Sequence, residues 1–171
     1  DGATGKTIPF SRKDDGADLV ETSYLLQGLL TARQYFNGDD KTERELRNRI
    51  GWIWNDVEWD WFTRDGQEVL YWHWSPNNGW AMNFPVRGFN ECLIMYILAA
   101  SSPTHGVPAE VYHEGWARSG AINENPAKYK EYNLGMNHHN KEGYAGPLFW
   151  AHYSFVGLDP RGLKDQYADY W

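Results

Sequence analysis

Apolar residues recur along the chain in blocks of two alternating kinds. Between residues 18 and 36, Leu19, Val20, Tyr24, Leu25, Leu26, Leu29, Leu30, Tyr35 and Phe36 cover nearly the whole circumference of a helix, which marks it as buried all round. Asp14-Asp15-Gly16 leads into it and Asn37-Gly38 stops it. Gly28 at its middle costs about 1 kcal/mol against Ala and predicts a close helix contact. The next block is one-sided. Leu46, Ile50, Ile53 and Val57 form a stripe, Glu45, Arg47, Asn48 and Arg49 face away, and Asp40 with Glu43 reads as a capping box. A third helix over about 90–100 is again apolar throughout. A fourth, short and more polar, follows Pro108 and ends near Arg118, and a long polar loop rich in Asn and Tyr runs on to Gly146. A fifth, mostly apolar, covers 148–156 and closes at Gly157, and a sixth starts at Leu163. Between the second and third, residues 59–64 and 68–74 flank Asp65-Gly66, a hairpin signal.

Buried and one-sided helices thus alternate, as they do when two concentric layers of helices are wound as hairpins into a ring. Three inner helices make about half of a closed ring of six. An open half-ring exposes large apolar edges, so the expectation is a mainly helical segment of one longer catalytic domain, incomplete at both ends and partnered by the rest of the same chain.

Composition narrows the class. The 171 residues are 42% hydrophobic and 23% charged, those of a globular domain. The longest apolar run, 93–100, is far short of the roughly 20 residues that span a bilayer. The net charge of −7 is spread in mixed sign, which argues against nucleic acid as the partner. Cys92 is the lone cysteine, so an internal disulfide and a Cys-based zinc cage are both excluded. Ten Trp, eleven Tyr and seven Phe then decide the direction, because many sit in polar, Gly- and Asn-rich stretches. Trp72, Trp74 and Trp80, beside His73, Asn77 and Asn78, read as a wet stacking surface for sugar rings at least as readily as core.

Three carboxylates stand out. Asp18 and Glu21 lie three apart at the start of the first helix, where acidic residues are also common simply because they favour the helix dipole. Glu91 opens the third helix at the lip of an unbroken apolar run, after the aromatic loop that ends at Asn90. Glycoside hydrolysis needs one carboxyl that keeps its proton near neutral pH and a second carboxylate that attacks or activates water. A helix N-terminus opposes such a raised pKa, while apolar surroundings and the neighbouring Asp18 and Glu21 favour it. The six histidines show no zinc-protease spacing: His113-Glu114 is followed by Gly115, and His138-His139 are adjacent. No metal, cofactor or phosphate-binding loop is expected.

The blocks Gly16-Ala17-Asp18-Leu19-Val20-Glu21-Thr22, Leu25-Leu26-Gln27-Gly28-Leu29-Leu30, Val57-Glu58-Trp59-Asp60-Trp61, Leu70-Tyr71-Trp72-His73-Trp74-Ser75-Pro76, Gly88-Phe89-Asn90-Glu91 and Ser101-Ser102-Pro103-Thr104-His105 follow one another over about the first two-thirds of the chain. In this order they resemble the glucoamylase-like family of bacterial glycoside hydrolases, which includes endo-β-1,2-glucanases and sophorose-releasing enzymes. The resemblance implies an (α/α)6 toroid, of which this is about half with a small β-hairpin. It also implies an inverting mechanism on an oligo- or polysaccharide, in a periplasmic or secreted setting. Glu91 matches the general acid, and Asp18 and Glu21 match acidic residues of the pocket. The base matches nothing before Trp171, so the segment alone is expected to be inactive. Trp72, His73, Trp74, Trp80 and Asn90 are the substrate-binding candidates. A transglycosylase would share these residues, whereas a non-catalytic sugar-binding module would need the tryptophans and not Glu91. A sugar epimerase would need paired histidines.

Overall fold

In the computed structural model, residues 1–137 and 146–171 are described. Three α-helices organise them: α1 (Leu19–Tyr35), α2 (Lys41–Asp56) and α3 (Leu93–Ser101). Four two-residue strands, β1 (Ala17–Asp18), β2 (His73–Trp74), β3 (Lys128–Tyr129) and β4 (Tyr132–Asn133), form two antiparallel pairs, β1 with β2 and β3 with β4. No helix among the described residues is long and apolar enough to cross a membrane.

The core is the contact of α1 with α3, walled by Trp59 and Trp116. α3 has no polar side: Leu93, Ile94, Met95, Tyr96, Leu98 and Ala99 are all buried. Each large side chain so placed contributes about 1.5–3 kcal/mol. α1 differs from the expectation. Leu19, Val20 and Leu26 are buried, but Leu25 is 58% and Tyr35 79% exposed, so one apolar face is bare. Gly28 lies on that side, and no atom lies within 4 Å of where its Cβ would be. The close helix contact expected of it is absent among the described residues.

α2 is an outer helix, as its pattern requires. Asp40 caps it, accepting from the N–H groups of Thr42 and Glu43. Glu43 reaches past the cap to accept from Gly38 N–H, a longer return than a capping box makes. Its inward stripe is also rotated. Ile50 is buried with Trp54 and Val57 beside it, while Leu46 and Ile53 are exposed. The bulk of Trp54, packed on Trp59 at 5.9 Å, turns the helix that way.

The expected hairpin at Asp65-Gly66 is a turn but not a hairpin. Residues 60–63 coil into a 3-10 turn closed by three consecutive positive φ angles, at Arg64, Asp65 and Gly66. Tyr71 N–H bonds back across the turn to Phe62 carbonyl, but the segment's other bonds go elsewhere: Trp72 carbonyl accepts from Leu19 N–H, Trp72 N–H donates to Phe84 carbonyl, and Val86 N–H donates to Leu70 carbonyl. Residues 70–74 are therefore held between the start of α1 and residues 84–86. β1 and β2 pair with Ala17 opposite Trp74 and Asp18 opposite His73. Gly16 makes this pairing possible, since a Cβ there would lie 2.3 Å from Trp74 carbonyl oxygen.

Later elements depart further. The segment after Pro108 is π-helical over Val111–Trp116, and the expected long loop contains the β3–β4 hairpin. The expected inner helix over 148–156 is two 3-10 turns, Leu148–Ala151 and Tyr153–Val156, of which only Ser154 is buried. With Leu148 73% exposed, no continuous apolar face rewards the α form there. The sixth helix does not form. The Asp165 carboxylate accepts from Tyr167 and Ala168 N–H groups, and this local turn takes the backbone donors that a helix would use.

Candidate active site

The start of α1, the turn before α3, residues 84–86 and the aromatic 3-10 turns surround one cavity of about 320 Å³. Glu21, Tyr24, Trp72, Asn90, Glu91 and Tyr153 are among its walls, with Phe84, Phe149, Trp150 and Cys92. Two of the three sequence carboxylates thus meet on one surface, and among the described lining residues there is no Lys or Arg.

Asp18 stands differently. It is the N-cap of α1 rather than part of the helix. One carboxylate oxygen accepts from Glu21 N–H at 3.0 Å and the other from Trp72 Nε1–H at 2.6 Å. It meets the cavity only through Trp72. Burial raises its pKa above the ordinary carboxylate value and Glu21 adds to that, against the lowering effect of these hydrogen bonds.

Glu91 precedes α3 instead of opening it. Asn90 and not Glu91 shapes the helix start, its Oδ1 accepting from Cys92 N–H at 2.8 Å while its side chain is buried. Standing outside the helix, the Glu91 carboxyl is half-buried against aromatic rings. Burial pushes its pKa up, the negative charge of Glu21 adds to the rise, and its own backbone N–H works against it. Tyr24 hydroxyl donates to Glu91 carbonyl at 3.3 Å, and burial raises the Tyr24 pKa too.

The tryptophan cluster divides. Trp72 faces the cavity, edge-on to Phe84 at 5.2 Å. Trp74 and Trp80 do not line it. They pack on Trp61, at 5.7 and 6.3 Å, and Trp80 also meets Phe62 and Tyr71. His73 is 2% exposed and its Nε2 lies 3.2 Å from an Asp14 carboxylate oxygen without hydrogen-bonding geometry, so it is packed against the N-terminal segment instead of facing the cavity. Alternation along a strand accounts for His73, which must point away from the face of Trp72; it does not separate Trp74, two residues on, whose place is set by packing on Trp61. Sequence reading missed Tyr24, Phe84, Phe149, Trp150 and Tyr153. The aromatic pair Phe149-Trp150 beside Tyr153 was a usable signal, had it been read as a loop wall instead of a helix. His138 and His139 lie outside the described residues. Among those described, no three His, Cys, Asp or Glu side chains group to hold a metal.

Residues 83–171, just over half of the chain, match the profile of the Glycoamylase family, described as "Putative glucoamylase". The chain belongs to this family. It is 42% identical, over its whole length, to an exo β-1,2-glucooligosaccharide sophorohydrolase (non-reducing end) of Parabacteroides distasonis, of which it covers 26%. The fold superposes on an endo-β-1,2-glucanase of Chitinophaga pinensis, in complex with sophorotriose and glucose, with a TM-score of 0.91 and 60% identity over 99% of this chain and 40% of that one. On a β-1,2-glucanase of Parabacteroides distasonis the TM-score is 0.85, with 41% identity over 99% of this chain and 26% of that one. This member of the Glycoamylase family therefore spans between a quarter and two-fifths of the length of these relatives.

Proposed function

We propose that this chain is the acid-bearing part of a glycoside hydrolase domain that cleaves β-1,2-glucan, with Glu91 as the general acid. The observation that carries the reading is Glu91 itself, a half-buried carboxyl beside a second carboxylate on the wall of an aromatic cavity. Desolvation and the Glu21 charge both favour the protonated form that must donate to a leaving glycosidic oxygen. Trp72 and Tyr24 line the cavity, and rings of this kind suit stacking on a sugar. Asp18 fixes Trp72 and the start of α1, and Glu21 sets the field at Glu91. The likeness to enzymes named for β-1,2-glucan supports that linkage, and an inverting reaction in an (α/α)6 toroid belongs to the same proposal. So does a periplasmic or secreted setting, suited to a polymeric substrate.

The test is the full-length protein carrying Glu91→Gln, incubated with β-1,2-glucan, β-1,3-glucan and starch. Released sugars are expected from the first substrate with the unaltered protein. Turnover of that substrate should fall in the variant by about 10²–10⁴-fold. Oligosaccharide binding should change little, since the acid acts in the transition state. Near-normal turnover by the variant would reduce Glu91 to a surface of the cavity wall. Longer or cyclic products in place of shorter ones would assign glycosyl transfer instead.

A further inference from the structure

Asn90 reaches only the N–H of Cys92, and Cys92, at the N-cap of α3, makes no side-chain hydrogen bond to the helix. Orphan N–H groups at a buried helix start must be satisfied from elsewhere. Ser154, far along the chain and 1% exposed, does this. Its Oγ accepts from Ile94 N–H at 3.0 Å and donates to Glu91 carbonyl at 2.6 Å. One hydroxyl thus holds both ends of the four-residue turn that carries Glu91, using its donor and one of its acceptor positions.

Ser154 is itself held. The buried Gln27 of α1 donates from Nε2 to the carbonyls of Tyr153 and Ser154, at 3.2 and 3.3 Å. Gly157 leaves room for this, because a Cβ there would lie 2.4 Å from Gln27 Cγ. A buried polar path therefore runs from α1 through the aromatic turn to the backbone of Glu91.

We propose that Ser154 is a positioning residue for Glu91, fixing the depth at which its carboxyl sits in the cavity wall and thereby the proton it carries. The inference rests on Glu91 being the general acid. The groups that share the cavity wall with Glu91 and could act on it are Glu21 and Tyr24 of α1, Cys92 next in the chain and Tyr153 on the aromatic turn, with Asp18 set behind Trp72. None is a cation that would hold the carboxyl ionised; burial is the larger cause of its raised pKa, with the Glu21 charge adding to it, and burial depends on depth. Ser154 touches no reacting atom.

The experiment compares Ser154→Ala, Ser154→Cys and Ser154→Thr with Glu91→Gln in the full-length protein, on β-1,2-glucan and on a nitrophenyl glycoside of the same sugar. Loss of the hydroxyl in Ser154→Ala should lower kcat on glucan roughly ten- to hundred-fold, the cost of a small displacement of a reacting group. KM should change less than about threefold. The alkaline limb of the kcat profile should move to lower pH, as a less buried Glu91 loses its proton earlier. The kcat loss should shrink on the nitrophenyl substrate, whose leaving group needs little protonation. Ser154→Cys, with a weak donor of similar volume, should fall between, and Ser154→Thr should recover the profile. Unchanged kcat and an unmoved alkaline limb in both Ser154→Ala and Ser154→Cys, with Glu91→Gln inactive, would overturn the inference while leaving Glu91 in place. If Ser154→Ala does not fold, Ser154→Cys decides on the same criteria. Near-normal turnover by Glu91→Gln would remove the acid assignment and this inference with it.

Discussion

The start of α1 and the turn before α3 each carry a carboxyl whose pKa is raised by burial, Asp18 behind Trp72 and Glu91 on the cavity wall itself. Their hydrogen bonds separate them. Asp18 spends both oxygens, one on Glu21 N–H and one on Trp72 Nε1–H, so protonating it would disturb a cap and a ring together. Glu91 spends its backbone carbonyl on Ser154 and Tyr24, and it is its own backbone N–H that works against the rise in its carboxyl pKa. A carboxyl whose structural duties fall on its backbone is free to exchange a proton, whereas one whose side-chain oxygens cap a helix and hold a ring gives up those bonds when it does. Burial raises both; the partner set decides which can act.

The largest effects should divide along that line. Glu91→Gln should cost about 10²–10⁴-fold in turnover and leave the fold intact. Asp18→Asn, which keeps an oxygen able to cap, should cost less turnover than Glu91→Gln in the same assay. A larger loss for Asp18→Asn would reverse the roles assigned to the two groups. Asp18→Ala should fail differently, by stability. Removing the cap costs about 0.5–2 kcal/mol, read from urea unfolding, with the orphaned Trp72 donor adding to it. Glu91→Ala, which removes no cap, should cost clearly less. Equal losses in the two would mean that the Asp18 hydrogen bonds carry no more than ordinary surface contacts.

What the sequence revealed follows from what it encodes locally. Asp40 as a cap, the start and stop of α1 and the continuous burial of α3 depend on short spacings, and all are present. The meeting of Glu21 and Glu91 followed from two apolar helices having to share a core. The pairing of β2 with β1 instead of with residues 59–64 was not legible, because it depends on a backbone approach that Gly16 permits and no periodicity announces. Residues 148–156 carry a helix-like apolar run, yet their rings turn toward the cavity and solvent, so the pattern that usually marks a core marked a wall. His73 was grouped with Trp72 by proximity in sequence, and strand alternation sends it to Asp14 instead.

Trp72→Phe sharpens the comparison at smaller scale. It keeps a ring in the cavity wall but removes the Nε1–H that Asp18 accepts, so stability should drop by about 1 kcal/mol, the net worth of a typical hydrogen bond. The same change in an Asp18→Ala background should cost less, since the partner is already gone; the shortfall in a double-mutant cycle measures the bond. Full additivity would mean that the 2.6 Å contact contributes nothing to folding.

The smallest effect is in the pH dependence of stability, where the sign is fixed by linkage. Glu91 has a folded-state pKa above its ordinary value, so between those two values the native state holds a proton that the unfolded chain has released. Stability from this group is fully present below the unfolded pKa and is lost as pH rises through the folded one. Ionised Glu91 therefore destabilises the fold at neutral pH, and Asp18 contributes with the same sign. Glu91→Gln removes one of the two titrations. In urea unfolding of the full-length protein at a series of pH values from 4 upward, the decline in stability with rising pH should become shallower in Glu91→Gln, and the variant should be no less stable than the parent at neutral pH. The slope that remains should flatten further when Asp18→Asn is added. A slope unchanged by Glu91→Gln would mean that the carboxyl ionises as it does in water, and a carboxyl so placed would have lost its proton long before neutral pH, when the proposed chemistry needs it.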